Sequence, residues 1–367
     1  MKNINFLNLV RENLFFKREI IKSTSKILKH SNFILGPELE KFENNFKNFL
    51  NCNHAVGVSS GTSALYIALK YLNLRKNDEV ITVSNSYLST VSSIVLAGGK
   101  PILVDVDETL NISVKELKKK INKNTKAIIV VHLTGAPCDI KGVLKLIQNK
   151  KICLIEDCAQ AVGAKINNKS VGTFGDFGCF SFHPLKNLSG LGDGGAIVCK
   201  SKKIKEWILK ARNNGHPHRD EFDFWSFNMR LDTIQASFLN LKLKYLKKIN
   251  EKRNLNAKIY IKELSHIKYL KLPKINKKNY NVFHLFIILA KKRDELKKFL
   301  QKNKVETKIH YPKPIHLQKA GKISFKKTKL RNTEKFSKEM LSLPINQFLT
   351  KNEILIICKL IKKFYNR

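Results

Sequence analysis

Between residues 55 and 200, short apolar runs alternate with helix-length segments, and this alternation constrains the fold of the 367-residue chain more than any other feature. Seven runs rich in Val and Ile predict strands at 55–58, 80–83, 102–104, 127–132, 152–155, 179–182 and 196–199. Several are apolar on both faces, as are strands that helices cover on both sides. The sequence therefore predicts an α/β fold with a mostly parallel seven-stranded sheet between helices.

The later part of the chain has a different pattern. Residues 233–264 predict one long amphipathic helix, because apolar side chains from Ile234 to Ile249 recur at helical spacing. Beyond it we expect a strand at 282–289, a helix at 293–303, a Pro-containing loop at 310–316 and a terminal helix from Lys351. These patterns predict a large domain of residues 1–245 and a smaller α+β domain of residues 246–367.

The composition is strongly basic, with 69 Lys and Arg against 29 Asp and Glu and a net charge of +40. Such a charge could indicate nucleic-acid binding, but the lysines are scattered and no nucleic-acid-binding motif accompanies them. We therefore expect no nucleic-acid partner, although a basic surface favours an anionic substrate. No apolar run reaches the roughly 18–20 residues that cross a bilayer, and no secretory signal begins the chain, so we expect no membrane partner and a cytoplasmic location.

The seven cysteines form no C-x-x-C pair and several lie in apolar runs, which predicts reduced, buried thiols. His216 and His218 could indicate a metal site, but no nearby cluster of cysteines or carboxylates completes one, so we expect no metal. Two acids, Glu156 and Asp157, end an apolar run, where open α/β sheets bind ligands. Because neighbouring strand residues point to opposite faces, at most one of the two acids faces a ligand, and Asp157 could alternatively cap a helix.

Lys186 follows Pro184 and precedes a glycine-rich stretch. Burial would lower the pKa of Lys186 and make its amine a nucleophile.

A third segment, 59–65, reads Ser-Ser-Gly-Thr-Ser-Ala-Leu at a strand–turn–helix junction. Backbone N–H groups and hydroxyls at a helix N-terminus suit a phosphate, although the same residues could serve only as a helix cap. Each of the three segments is ambiguous alone, and their order along the chain is what is informative.

In that order the segments resemble the DegT/DnrJ/StrS family of nucleotide-sugar aminotransferases, which have the pyridoxal-phosphate (PLP) dependent type I fold. The resemblance runs essentially from end to end. It is carried by Ile-Leu-Gly-Pro at 34–37, Ser-Gly-Thr-Ser-Ala-Leu at 60–65, Glu-Asp-Cys-Ala-Gln at 156–160, Ser-Phe-His-Pro-Leu-Lys-Asn-Leu at 181–188, Asn-Met-Arg-Leu at 228–231 and His-Tyr-Pro-Lys-Pro at 310–314. The ordered pair E-D-x-A-Q and S-F-x-P-x-K-N is the most specific part.

The resemblance implies pyridoxal 5'-phosphate as the cofactor. Lys186 would form an imine with it and then shuttle protons, Asp157 would pair with its protonated pyridine nitrogen, and Gln160 would hydrogen-bond its phenolic oxygen. Other residues would hold the phosphate or the ring: Gly61, Thr62, Ser63 and Ser181 the phosphate, Tyr87 the ring face, and Asn228 the phosphate of the neighbouring subunit in a homodimer with shared active sites. The expected substrate contacts are Arg230, His310, Tyr311 and His316. No role is assigned to His183.

The resemblance further implies an amino-group transfer from an amino acid, with glutamate expected, to a nucleotide-linked keto sugar. Residues 184–188, 192–195 and 310–316 are closest to members that act on dTDP- or UDP-linked 3-keto hexoses. A 4-keto sugar, a cyclitol ketone and a non-catalytic role are the alternatives. Related sugar dehydratases carry His in place of the lysine, so Lys186 argues against that activity.

Overall fold

A computed structural model of the chain describes residues 3–326 and 328–366. Its strands are β1 (His54–Val58), β2 (Glu79–Val83), β3 (Lys100–Val104), β4 (Thr125–Val131), β5 (Cys153–Asp157), β6 (Lys165–Ile166), β7 (Lys169–Ser170), β8 (Phe177–Ser181), β9 (Gly195–Cys199), β10 (Leu270–Lys271), β11 (Asn279–Tyr280), β12 (Phe286–Ala290) and β13 (Met340–Leu343).

Its α-helices are α1 (Leu9–His30), α2 (Pro37–Leu50), α3 (Gly61–Tyr71), α4 (Ser89–Leu96), α5 (Val114–Lys120), α6 (Ile140–Ile147), α7 (Lys202–Ala211), α8 (Thr233–Leu243), α9 (Leu246–Leu264), α10 (Arg293–Lys302), α11 (Lys319–Ser324), α12 (Arg331–Glu339) and α13 (Lys351–Tyr365). Short 3₁₀ turns lie at Leu133–Gly135 and Ile315–Leu317. Within the described residues no helix is both long and apolar enough to span a bilayer.

The central sheet has the strand order β1-β9-β8-β5-β4-β2-β3. All seven predicted strands are confirmed, with ends within two residues of the predicted ones. Neighbouring strands from β8 to β3 pair in parallel, whereas β9 pairs antiparallel with both β1 and β8. Every residue of β2, β8 and β9 is buried, because helices pack on both faces of the sheet. The predicted mostly parallel α/β sheet is therefore confirmed.

The predicted single helix over 233–264 is wrong. The structure ends α8 at Leu243 and starts α9 at Leu246, with the N–H of Tyr245 bonded to the carbonyl of Lys242 in a tighter turn. After this break α9 buries Asn250 and Arg253, whose side chains bond backbone carbonyls of neighbouring loops. Apolar spacing continues across the break, and so the sequence pattern carried no sign of it. The predicted domain boundary at 245/246 falls at this position.

The smaller unit is a three-stranded antiparallel sheet, β10-β12-β13, packed against α9, α10 and α13. Its core includes Tyr260, Leu296 and Ile357. The strand expected at 282–289 begins only at Phe286, because the preceding residues pair with the large unit, where the N–H of Leu285 bonds Thr134. Ile4 forms a bridge with Val305, so the first described residues pack on the smaller unit.

Candidate active site

A cavity of about 710 Å³ lies at the carboxyl ends of β4 and β5 and at the N-terminus of α3. Most of the predicted site residues line it: Gly61, Thr62, Tyr87, Asp157, Gln160, Ser181, Lys186, His310 and Tyr311. The lining residues fall into two groups, which we call walls: residues 60–193 of the large unit, and residues 284–311 together with Phe6 and Leu7. The two units of the fold therefore meet at this cavity.

The adjacent acids at the end of β5 point to opposite sides, as predicted. Glu156 is fully buried away from the cavity, where it accepts hydrogen bonds from the N–H groups of Gly172, Phe174 and Gly175 at 2.7–2.8 Å and contacts His132 at 3.0 Å. Burial alone would raise the pKa of Glu156, but His132 and these N–H groups hold it below its ordinary value. Glu156 therefore anchors the 172–175 turn.

Asp157 faces the cavity. Its Oδ2 accepts from Thr90 Oγ1 at 2.8 Å and its Oδ1 from the N–H of Ala159 at 3.1 Å. Because Thr90 donates to Asp157, it accepts from Ser86 Oγ at 2.7 Å, and the three side chains form a directed chain. Burial raises the pKa of Asp157, and the bond from Thr90 and the charge of Lys186 oppose that shift. Asp157 does not cap a helix, because no helix follows β5 directly.

Lys186 lies on the wall of the same cavity in the turn that follows β8, where its N–H bonds the carbonyl of His183. Burial lowers the pKa of Lys186 to about 8, although the negative charge of Asp157 acts in the opposite direction. About one in eleven of these amines is therefore neutral at pH 7, far more than for an ordinary lysine, and a nucleophile or proton carrier requires the neutral form.

The N-terminus of α3 forms the part of the cavity that suits a phosphate. Ser60 caps the helix by accepting from the N–H of Ser63 at 3.0 Å, and the N–H groups of Gly61 and Thr62 have no acceptor within the helix. A Cβ on Gly61 would lie 2.8 Å from the Cβ of Ser181, and one on Gly195 would lie 2.4 Å from the carbonyl oxygen of Ser60. The glycines therefore let three backbone segments meet at this point.

Gln160 and Tyr311 connect the two walls of the cavity. The side-chain oxygen of Gln160 accepts from the N–H of Thr134 at 2.7 Å, and its Nε2 donates to Tyr311 Oη at 3.2 Å. Among the residues that the structure describes, the second hydrogen on that Nε2 has no acceptor, which leaves it for a ligand oxygen. The ring of Tyr87 lies 6.2 Å from that of Tyr311 and is 64 % exposed. His310 contacts Ser342 Oγ at 2.9 Å, and burial together with Lys186 lowers its pKa to about 4, so the ring is neutral.

Four predicted site residues lie outside this cavity. Ser63 binds the hydroxyls of Ser59 and Ser60 instead, at 2.7 and 2.9 Å, and so completes the helix cap. His316 is buried between Ser84 and Glu334, at 2.7 and 3.2 Å, so the structure does not support its predicted contact with substrate. Arg230 is half-buried and donates to Asn213 at 3.0 Å, and Asn228 is exposed on the same segment.

The structure adds cavity residues that the sequence reasoning missed, chiefly Thr90 and His284. Thr90 follows Ser89 in a hydroxyl-rich run after Tyr87, and that composition was its only signal. His284 precedes β12 in an apolar stretch, where a lone histidine is ordinarily a core residue. Both are placed by tertiary contacts with segments far away in sequence.

His132, Glu156 and Cys158 lie close enough together to hold a metal ion. However, His132 Nδ1 accepts from the N–H of Cys138 at 3.1 Å, and its Nε2 faces Glu156, whose two oxygens also receive three backbone N–H groups. The ligand atoms of the histidine and the carboxylate are therefore already bonded within the protein. The cluster stabilises the turn behind the cavity.

The arrangement as a whole fits pyridoxal 5'-phosphate. A helix N-terminus with free N–H groups suits the phosphate, a fixed carboxylate suits a protonated ring nitrogen, and a lysine with a lowered pKa suits covalent attachment. Bulk at Gly61 would close the cradle against Ser181. These groups all come from residues before position 190 and lie on one wall of the cavity.

Comparisons with known proteins agree with this chemistry. The chain is 35% identical over 364 residues to a dTDP-3-amino-3,6-dideoxy-alpha-D-galactopyranose transaminase of Aneurinibacillus thermoaerophilus, which covers 98% of this chain and 99% of the relative. It is 32% identical to a dTDP-3-amino-3,4,6-trideoxy-alpha-D-glucose transaminase of Streptomyces venezuelae, over 99% and 97% of the two chains.

Among solved structures, DesV of S. venezuelae in complex with a ketimine intermediate matches with a TM-score of 0.96 and 31% identity, over 100% of both chains. Residues 16–362 match the DegT/DnrJ/EryC1/StrS aminotransferase family. The chain has the fold of a PLP-dependent aminotransferase and belongs to the DegT/DnrJ/EryC1/StrS aminotransferase family.

Proposed function

We propose that the chain transfers an amino group from an amino acid, with glutamate as the expected donor, to carbon 3 of a nucleotide-linked keto hexose. The observation that carries this proposal is the convergence of Lys186, Asp157 and the N-terminus of α3 on one cavity of about 710 Å³. That volume exceeds what a single phosphate-bearing ring needs, which leaves room for a sugar. A non-catalytic role would not require a lysine with a lowered pKa beside a buried carboxylate.

The sugar is proposed from the relatives. Both of their names describe an amino group on carbon 3 of a dTDP-linked sugar, and one of the two lacks the oxygen on carbon 4. Neither name describes a sugar that lacks the hydroxyl on carbon 2. We therefore expect a 3-keto hexose with a hydrogen-bond donor on carbon 2, linked to dTDP or to UDP.

Each cofactor-side residue has a proposed task. PLP, when bound, supplies an electron sink for the carbanion that forms at the amine-bearing carbon. Asp157, fixed by Thr90 and Ala159, keeps a negative charge where the ring nitrogen holds its proton. Lys186 Nζ removes a proton from the amine-bearing carbon of the donor. It later delivers a proton to carbon 3 of the sugar.

The remaining cofactor residues orient the bound group. Gly61, Thr62 and Ser181 hold the phosphate, and the hydroxyl of Thr62 is already positioned by Ser89 at 2.6 Å. Tyr87 covers the ring face, and the free hydrogen on Gln160 Nε2 meets the phenolic oxygen. His310 and Tyr311, on the opposite wall, contact the substrate.

Two residues remain for the neighbouring subunit in a proposed homodimer. Asn228 and Arg230 lie outside their own chain's cavity, and next to them Phe222, Trp225 and Phe227 are 55–81 % exposed. Exposed apolar side chains of this size typically cover a partner surface. We propose that Asn228 reaches the phosphate, and Arg230 the substrate, in the other subunit's site.

We also propose a cytoplasmic location. All seven cysteines are free, several of them fully buried, as is common in a reducing compartment.

The direct test supplies PLP, glutamate and 3-keto or 4-keto hexoses linked to dTDP or UDP, with the amino sugar detected by mass. Lys186→Ala is the control and should give no product. Amination of only the 4-keto sugars would overturn the proposed position of transfer. Amination of none would contradict a nucleotide-sugar substrate and direct the search to cyclitol ketones.

A further inference from the structure

His284 lines the same cavity as Lys186, and its side chain is held by a hydrogen-bond network. Its Nδ1 lies 3.3 Å from Oδ1 of Asn187, the residue that follows Lys186. Among the residues that the structure describes, its Nε2 has no hydrogen-bond partner. The ring is half-buried, so this nitrogen is available to a molecule in the cavity.

Two backbone carbonyls fix the direction of every hydrogen bond in this network. Asn250 Nδ2 donates to the carbonyl of Val162 at 3.1 Å, and Asn187 Nδ2 donates to the carbonyl of Val282 at 2.9 Å and to Asn250 Oδ1 at 2.9 Å. A carbonyl can only accept, so the amide groups cannot be reversed. The oxygen of Asn187 therefore faces His284 Nδ1, which must carry the hydrogen.

A neutral imidazole carries one hydrogen, so the Nε2 of His284 presents a lone pair to the cavity. Burial and the positive charges of Lys186 and Arg253 hold the pKa of His284 well below its ordinary value, which keeps the ring neutral. Arg253 also donates to the carbonyls of Phe283 and His284 at 3.2 and 3.3 Å, which fixes the backbone at this position. The cavity therefore contains a rigid hydrogen-bond acceptor.

We propose that His284 Nε2 accepts a hydrogen bond from the O–H or N–H group on carbon 2 of the keto sugar, and thereby selects substrates with a donor there. This inference rests on the proposed function. The cavity residues assigned to the cofactor all lie between positions 61 and 186, and His284 is not among them, which leaves its lone pair for the substrate. His284 is hydrogen-bonded to the residue after Lys186, and carbons 2 and 4 both adjoin the carbon on which Lys186 acts. One of the two relatives' sugars has no oxygen on carbon 4, so carbon 2 is the neighbouring position that keeps its hydroxyl in both.

A sugar without this donor leaves the lone pair unpaired in a half-buried site. The hydrogen bond is expected to change kcat/KM by about tenfold to a hundredfold. An acceptor also disfavours a carboxylate or phosphate at this point. Anionic parts of either substrate are therefore expected to bind elsewhere in the cavity.

The test compares a dTDP-linked 3-keto-6-deoxyhexose with its 2-deoxy counterpart, using PLP-loaded wild type, His284→Asn and His284→Gln. Asparagine can keep an N–H toward Asn187 but is too short to present an acceptor to the cavity, whereas glutamine can place its oxygen near the position of Nε2. We expect wild type and His284→Gln to prefer the 2-hydroxy sugar at least about tenfold in kcat/KM. In His284→Asn that preference should disappear, mainly because kcat/KM falls for the 2-hydroxy sugar.

Equal preference in wild type and His284→Asn would overturn the assignment while leaving the proposed function intact. Wild type that aminates neither sugar would overturn both. A second measurement needs no turnover: ¹⁵N NMR of histidine-labelled protein should show His284 as the neutral Nδ1–H tautomer at neutral pH. An Nε2–H tautomer or a protonated ring would overturn the assignment.

Discussion

Replacement of Asp157 by asparagine should accelerate the capture of PLP by Lys186 and slow turnover. In the wild type, burial lowers the pKa of Lys186 to about 8, and the negative charge of Asp157 limits that decrease. Asparagine has nearly the same size and can accept from the N–H of Ala159 while its NH2 group donates to Thr90 Oγ1, but it carries no charge. The pKa of Lys186 should therefore fall below 8, while the anion proposed to face the ring nitrogen is lost.

The size of each effect follows from the pKa values. With a pKa of about 8, about one in eleven Lys186 side chains is neutral at pH 7, against about one in 3,000 at the ordinary value of 10.5. Covalent capture of PLP needs the neutral amine, so Asp157→Asn can accelerate capture at pH 7 by no more than about elevenfold. Turnover should fall about tenfold to a thousandfold, because a neighbouring carboxylate typically changes a pKa by about 1 to 3.

The assay mixes cofactor-free protein with PLP between about pH 6 and pH 9 and follows capture by absorbance. In the wild type the rate should rise with pH through a midpoint near 8, and in Asp157→Asn through a lower midpoint. Asp193→Asn is the matched control, since Asp193 also lines the cavity but is not among the charges that act on Lys186. A midpoint in Asp157→Asn at or above that of the wild type would refute the reasoning.

Three further predictions concern other residues. Borohydride treatment of the PLP-loaded protein should attach the cofactor to the peptide containing Lys186, and Lys186→Arg should remain unlabelled because a guanidinium stays protonated; a label on another lysine would contradict the assignment. A mixture of Lys186→Ala and Asn228→Ala chains should regain activity, since one site of each mixed dimer has neither defect, and no recovery despite shown subunit exchange would place Asn228 in its own chain's site. Glu156→Gln should lower the free energy of unfolding by about 2–4 kcal/mol, because an amide group would face N–H donors at Gly172 and His132; urea denaturation measures this, and an unchanged midpoint would contradict the anchoring role.

The parts of the fold that could be predicted are those in which a local pattern decides the outcome. The central strands are apolar on both faces, and so their runs of Val and Ile were visible in the sequence. The start of α2 at Pro37 and the cap of α3 at Ser60 also follow from residue type alone. For the site, Asp157, Lys186 and the hydroxyl-rich turn line one cavity because the sheet brings those strand ends together, and their roles stay predictions.

Sequence could not assign the directions of side chains in loops. Tyr311 and His316 belong to one segment, yet Tyr311 reaches Gln160 in the cavity and His316 is buried between Ser84 and Glu334. A loop has no period from which to derive a facing side. The same limit applies to His284, whose hydrogen-bonding state depends on Asn187 and on the carbonyl of Val282.

The acid pair at the end of β5 shows how one dipeptide serves two purposes. Because neighbouring strand residues point to opposite faces, Glu156 contacts the 172–175 turn and Asp157 lines the cavity. Neither side chain can therefore replace the other. Gly172 has a φ of +86°, and a Cβ there would lie 2.4 Å from the ring of Phe180 in β8. The turn that Glu156 anchors is thus packed on the strand that precedes Lys186. Loss of Glu156 should therefore appear first as lost stability, and loss of Asp157 as lost turnover in a folded protein.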